Sequence, residues 1–568
     1  MKYTFNFQEP HQQFVYIEVE ITTPENETVL CMPTWRPGRY ELANFSKNIR
    51  YLKVYAEGKE VNINKIDLHS WLLDTSNCSA ITITYQYYAA VLNAGSTFLD
   101  ASQLYVNPVN CCIYPQNREN DSCEVFLNIP EDFQVAHSFQ EIDKLSYKAE
   151  SFHELVDCPF VCSANLQHNA YTVGETKFHL WFNGEVKPEW DKLIRDFEKF
   201  SEYQIGKFQA FPVKNYHFIF QILPYATYHG VEHKKSTVIT LGPSYAIFDK
   251  LYTELLGVSS HELYHTWNVK TIRPIEMMPY DYTKENLSKL GYLCEGVTTY
   301  MGDIILLRSG VFDIQQYFLE MTRQLQRHFD NFGRYNYSVA ASSFDTWLDG
   351  YEIGAPGRKV SIYTEGCLLA FVTDIMIMKH TKNLKNLDFV MRRLYWDFAD
   401  KGKGVSEQDY KAVIENVAGA NFDWLFDEYI HGTKGFEVVL SECFEYLGIE
   451  IDTIPSLSYS QGRLGLKALD TNGKYSIKAI FPGSPADLGG LMLEDKIIAV
   501  NGAVVNADLD KWLSYFDSDL KHLTIERAGR ITEITLPEVN RGFYQNYSLR
   551  LIDNPNKQQE FALRSWVS

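Results

Sequence analysis

Two histidines four residues apart, with a glutamate beside the first, carry the clearest chemistry in this sequence: His261-Glu262-Leu263-Tyr264-His265. On a helix, residues i and i+4 lie one above the other, so both imidazoles can converge on one ion. Imidazole nitrogens bind Zn2+ well, and the adjacent glutamate can reach a water held there. A catalytic zinc takes a third protein ligand and keeps one position open. Glu295, in Tyr292-Leu293-Cys294-Glu295-Gly296, is the candidate. Leu293, Val297, Tyr300, Ile304 and Leu307 recur at helical spacing, which predicts a second helix carrying Glu295 toward the first. Cys294 points elsewhere on that helix and reads as packing. The chain also contains a decoy: His153-Glu154-Leu155-Val156-Asp157 starts with the same tripeptide but lacks the second histidine. It reads as structural or interfacial.

The elements that must position these residues follow from periodicity. Phe248, Leu251, Leu255 and Val258 form an apolar stripe leading into the first motif. Helices are predicted near 246–268, 287–309, 313–330, 363–380 and 406–430. Residues 1–165 read as all-β, rich in segments such as Phe14-Val-Tyr-Ile-Glu-Val-Glu-Ile, and a sandwich is the natural architecture. Residues 166–442 form the expected helix-rich catalytic domain. Short strands return over 446–540, and 541–568 is a tail whose attachment the sequence leaves open. The expected fold class is multidomain α+β.

Composition narrows the partners. The formal charge is −19, so a generic electrostatic binder of nucleic acid is excluded. No apolar run approaches the ~18 residues of a spanning helix, and the first residues alternate like a strand, not like a signal peptide. A cytoplasmic protein without a membrane span is expected. The ten cysteines are scattered and suggest no disulfide framework.

A helix bearing the two histidines followed by a glutamate on a second helix resembles the gluzincin metallopeptidases, which have a thermolysin-like catalytic domain. The run from His261 to Lys270, His-Glu-Leu-Tyr-His-Thr-Trp-Asn-Val-Lys, is similar to the signature of the M61 family, the glycyl aminopeptidases. Pro33-Thr34-Trp35-Arg36-Pro37-Gly38-Arg39-Tyr40 looks like that family's N-terminal β-domain motif. Gly230-Val231-Glu232-His233 looks like its substrate-amine segment, and residues 446–540 look like the PDZ domain the family carries near its C-terminus.

The resemblance implies one Zn2+ per chain, held by His261, His265 and Glu295, with Glu262 as the base that activates a zinc-bound water. Tyr363 occupies the place of the catalytic tyrosine, although Glu365 stands where the related Tyr-x-Lys-Gly pattern has lysine. Glu232 would receive the substrate α-ammonium, with Gly230 and His233 beside it. Thr299 and Asp303, one and two turns after Glu295, are candidates to orient a zinc ligand or to serve as caps. Leu464, Gly465 and Leu466 would form a PDZ-like carboxylate loop for a C-terminal peptide, unless that domain serves as a brace. The implied activity is hydrolysis of peptides with free, small N-terminal residues such as Gly or Ala. The alternatives are a PDZ-assisted zinc endopeptidase and a peptide-binding adaptor with a structural zinc. Intact Glu262 argues against the adaptor.

Overall fold

Period-two alternation builds the N-terminal region. Strand Phe14–Thr22 buries Val15, Ile17, Val19 and Ile21 and turns the intervening residues outward. A computed structural model of the chain describes residues 1–352 and 354–568. An eight-stranded sheet runs, in spatial order, Gln140–Asp143, Ser146–Ala149, Cys123–Asn128, Lys2–Asn6, Phe14–Thr22, Ala80–Tyr88, Ile49–Ala56 and Lys59–Val61. Two four-stranded sheets accompany it. All three share one core, in which Tyr3, Phe5, Ile17 and Tyr85 meet Leu30, Leu73, Leu104 and Phe160.

The chain folds as two compact units. The first comprises Met1–Tyr317, Asn331–Cys443 and Lys557–Ser568, and the second Phe318–Asp330 and Phe444–Asn556. In the first unit the β-rich region is followed by a five-stranded sheet in the order Gln167–Val173, Thr176–Asn183, Asn215–Ile222, Ser236–Gly242, Thr227–Glu232. The second, third and fourth strands are mutually parallel. The helix Trp190–Phe208 makes the first crossover that parallel pairing requires. The edge strand Thr227–Glu232 runs antiparallel and brings Glu232 opposite Thr237.

Helices Tyr252–Tyr264, Thr298–Arg308 and Ile362–His380 form the scaffold of the metal motif. The segment Tyr292–Val297 preceding the second is wound as a π-helix, a local widening that is frequent at functional sites. Gly296 on this turn faces Gly366, and a Cβ on either would overlap the other's backbone. The two helical segments thus approach closely beside Glu295. The predicted 406–430 helix is divided into Glu407–Ala418 and a π-helical turn Leu425–Ile430. Gly419, in the left-handed conformation, ends the first piece.

The tail has two fates. Strand Gln545–Leu551 pairs antiparallel with Ile449–Pro455 in the second unit. Helix Lys557–Trp566 belongs to the first. There Trp566 is fully buried, its Nε1 donates to the Tyr300 hydroxyl at 2.9 Å, and its carbonyl accepts from Arg308 Nε at 2.7 Å. Arg308 also bonds Asp374 at 2.9 Å, so the last turn of the chain seats on a buried ion pair behind the metal-motif helices. The second unit carries the sheet Leu466–Thr471, Lys474–Ile480, Lys496–Val500, Lys521–Arg527, Arg530–Leu536, with helix Leu509–Tyr515 on its core. Among the described residues no helix is long and apolar enough to cross a membrane.

Candidate metal centre and active site

The helix Tyr252–Tyr264 buries Leu255, Val258 and Leu263, which fixes its rotation. His261 and His265 consequently leave from one face, with their Nε2 atoms 3.0 Å apart. Glu295 Oε2 lies 3.4 Å from His265 Nε2. One ligand atom from each of the three residues falls within 4.8 Å of the others. A second group within the same limit contains Glu232, Glu262 and His265. The five residues named from the sequence therefore meet around His265.

The donor set fits a metal. His265 Nδ1 is 2.7 Å from the Asn268 carbonyl oxygen, so it carries the hydrogen and leaves the Nε2 lone pair directed at His261 and Glu295. Tyr40 donates its hydroxyl hydrogen to Glu295 Oε1 at 3.0 Å and leaves Oε2 for the cluster. Burial works against a charged His265, but Glu295 outweighs it and holds the imidazolium up to about 9. A proton and a metal ion compete for that same lone pair. His261 is held well below the usual range by burial and then by His265.

Two carboxylate oxygens at the site lack protein partners. Glu262 Oε2 and Glu232 Oε1 are buried without a hydrogen-bond partner among the described residues. Burial pushes the Glu262 carboxyl up to about 8, against the His265 charge, with Glu232 and Glu295 adding to the upward push. Space for both side chains comes from glycines. A Cβ on Gly230 would overlap the Glu262 carboxylate, and one on Gly38, at φ +80°, would overlap that of Glu232. Gly38 comes from the Pro33–Tyr40 stretch. That stretch docks on the middle region through Thr34 N to the Tyr282 carbonyl at 2.8 Å and Trp35 Nε1 to the Asp281 carbonyl at 2.7 Å.

Tyr363 lies in the first turn of Ile362–His380, capped by Ser361, whose side chain accepts from Thr364 N. Its hydroxyl is 3.4 Å from that of Tyr351. Burial and then Glu295 raise both phenols well above their ordinary range, so each keeps its hydrogen and can donate it. His233 adjoins Glu232 in sequence, but its Nδ1 faces Asp157 Oδ1 at 3.1 Å. Thr299 donates to the Glu295 carbonyl at 2.8 Å and thus supports the helix turn. It is the Asn268 carbonyl that meets the His265 imidazole, a candidate ligand. Asp303 lies 4.0 Å from where a Cβ on Gly257 would stand.

The sequence reading missed Tyr40, Tyr351 and Arg36 as site residues. Arg36 is buried, lies 3.3 Å from His229 Nε2, and contributes a charge felt by both Glu232 and Glu262. Its only signal was membership of the Pro33–Tyr40 motif. In the second unit Leu464, Gly465 and Leu466 open the edge strand Leu466–Thr471. The Leu464 and Gly465 N–H groups donate to the carbonyls of Tyr459 and Gln461, at 3.3 and 3.2 Å. Two amides of the expected carboxylate loop are thereby engaged by the preceding helical turn, Tyr459–Gly462.

Residues 2–164 match the family model of the peptidase M61 N-terminal domain, and residues 254–369 match that of the M61 glycyl aminopeptidase. The chain belongs to the M61 peptidase family. Its matched segments contain all three candidate ligands, Glu262 and Tyr363. At family level this M61 chain is a zinc aminopeptidase, a peptide hydrolase. A crystal structure of an aminopeptidase N family protein from Idiomarina loihiensis has the same fold, with a TM-score of 0.91 over 100% of both chains at 23% identity. An M1 zinc metallopeptidase from Deinococcus radiodurans aligns at a TM-score of 0.48 and 12% identity, over 76% of this chain and 94% of its own. No curated protein matches the chain.

Proposed function

We propose that this M61 peptidase removes single small residues, Gly or Ala, from the free N-terminus of peptides, using one zinc on His261, His265 and Glu295. The observation that carries the reading is the pair of buried, unpartnered carboxylate oxygens on Glu262 and Glu232 beside the three-ligand group. When bound, zinc supplies Lewis acidity and lowers the pKa of a coordinated water. Glu262 takes a proton from the attacking water and delivers it to the leaving amine nitrogen. Its raised affinity for protons suits both halves of that task. Glu232 pairs the substrate α-ammonium, which limits cleavage to the first residue. Tyr363, with Tyr351 at its hydroxyl, donates a hydrogen bond to the carbonyl oxygen as negative charge develops there. Gly230 leaves the edge-strand backbone open beside these groups. The preference for Gly and Ala rests on the family resemblance.

The deciding assay gives zinc-loaded protein Gly- and Ala-amide reporters together with N-acetylated versions. Cleavage of the free-amine reporters alone is expected. Cleavage of the blocked reporters would instead establish an endopeptidase. Silence on both with zinc bound, together with measurable binding of a C-terminal peptide, would favour a peptide-binding adaptor. Glu232→Gln is expected to raise KM for the free-amine reporters more than it lowers kcat.

A further inference from the structure

Two phenols stand near the candidate metal centre. Tyr363 lies in the opening turn of Ile362–His380, and Tyr351 follows the short helix Thr346–Asp349. After burial, Glu295 is the largest influence on both hydroxyls, which places both near that candidate ligand. Their oxygens are 3.4 Å apart. An O–H···O bond spans about 2.5–3.0 Å, so the two phenols are set too wide for a strong bond to each other. One further oxygen about 2.7 Å from each fits between them, because twice that length exceeds the separation. Tyr351 is 40% exposed and is held in place from the Pro33–Tyr40 stretch. The Arg39 guanidinium stands over its ring, 4.7 Å from the centroid, and pairs with Glu41. Glu41 in turn lies against Gly350, where a Cβ would overlap its carboxylate. Trp347 packs edge-on against Trp35 and Tyr40, with centroids 4.9 and 5.9 Å apart. The stretch that sets Tyr40 on Glu295 and Gly38 against Glu232 therefore also sets Tyr351.

We infer that Tyr351 is a second catalytic hydrogen-bond donor, which holds the carbonyl oxygen of the scissile bond together with Tyr363 as negative charge develops there. The inference rests on the proposed hydrolysis and goes beyond it by making Tyr351 a direct contact of the reacting oxygen. Both phenols keep their hydrogens throughout, and no proton is transferred at either. Donors set in advance around a developing oxyanion are each worth about 10²–10³ in kcat. The competing role is a relay, in which Tyr351 donates to the Tyr363 oxygen and acts only through it. A separation of 3.4 Å is poor geometry for that relay. The two roles part when the Tyr363 hydroxyl is removed, because a relay then has nothing to act on.

The test is a double-mutant cycle on zinc-loaded, full-length protein with an Ala-amide reporter. Tyr351→Phe and Tyr363→Phe are each expected to lower kcat by about 10²-fold, with KM within about threefold. In the Tyr363→Phe background, Tyr351→Phe should lower kcat further, by about tenfold or more. A phosphonamidate analogue of the tetrahedral intermediate should bind Tyr351→Phe more weakly, in proportion to the fall in kcat/KM. The partly exposed ring makes the change to Phe tolerable to the fold, and unchanged zinc content and melting temperature check this. Wild-type kcat in Tyr351→Phe would overturn the inference, and so would a second substitution that costs nothing once the Tyr363 hydroxyl is gone. A wild-type chain silent on the reporter would sink the hydrolysis reading itself, and this inference with it.

Discussion

The tripeptide His-Glu-Leu occurs at 153–155 and again at 261–263, and the two copies end in different chemistry. The first lies on the short helix Phe152–Leu155, capped by Ser151. Its polar groups are occupied by residues that join the β-rich region to the middle of the first unit. Glu154 pairs with Lys235, and His153 Nδ1 is 3.1 Å from the Tyr282 hydroxyl. Two residues on, Asp157 takes Lys270 Nζ at 2.6 Å, His233 at 3.1 Å and the Lys234 N–H at 2.9 Å. In the second copy Glu262 keeps an oxygen without a partner among the described residues, and His265 turns Nε2 toward a nitrogen and a carboxylate, where a proton and a metal ion compete for it. The same tripeptide thus serves cohesion where its bonds are filled within the fold and, in the proposed mechanism, chemistry where they are left open. A buried polar group that folding leaves unpaired calls for an explanation, and a bound ligand, ion or water supplies one.

Substituting the equivalent glutamates separates the two copies most sharply. Glu262→Gln removes the proposed base and keeps the shape, so kcat should fall by about 10²–10⁴-fold with zinc still bound. Full activity in that variant would sink the mechanism. The largest structural effect belongs to the first copy. Asp157→Asn leaves buried Lys270 without its counter-charge, a loss of about 3–5 kcal/mol for such pairs, readable by denaturant unfolding. The effect depends on pH with a defined sign. Burial raises the Asp157 carboxyl, but Lys270 and His233 outweigh it and hold it well below the carboxylate range. A depressed native value stabilises the fold above the unfolded value of about 3.9 and ceases to do so as pH falls through the native one. The gap between wild type and Asp157→Asn should therefore be widest near neutrality and close on acidification. A gap that does not change with pH would refute the ion-pair account.

The contrast also marks how far the sequence was legible. His261, His265 and Glu295 could be read because helical spacing converts sequence separation into geometry, and the apolar stripes fix each helix's face. Tyr40 could not be read this way, because 255 residues separate it from Glu295 and only the tertiary fold brings them to 3.0 Å. The π-helical winding around Glu295 was equally silent, since an apolar stripe does not distinguish 3.6 from 4.4 residues per turn over six positions. The tail's division between two units left no trace in its composition. Tyr40→Phe should lower zinc affinity by about 10–100-fold, as lost support of a ligand typically does, measured by competition with a chelator. An unchanged affinity would mean that the helix alone orients Glu295.

The smallest expected effect closes the comparison between the copies. Glu154→Gln is the same chemical change as Glu262→Gln, in the same tripeptide. Glu154 and Lys235 are partly exposed, at 20% and 32%, and such pairs are worth about 0.2–1 kcal/mol. Glu154 Oε2 also accepts the Glu150 N–H at 2.8 Å, a bond that the glutamine amide oxygen can keep. Stability should drop by less than about 1 kcal/mol, and kcat/KM should stay within about twofold. A large loss of activity here would show that the joint between the β-rich region and the metal-motif helices sets the position of Glu232 and its neighbours. The first copy would then act on catalysis through Lys235, three residues after Glu232, and not through cohesion alone.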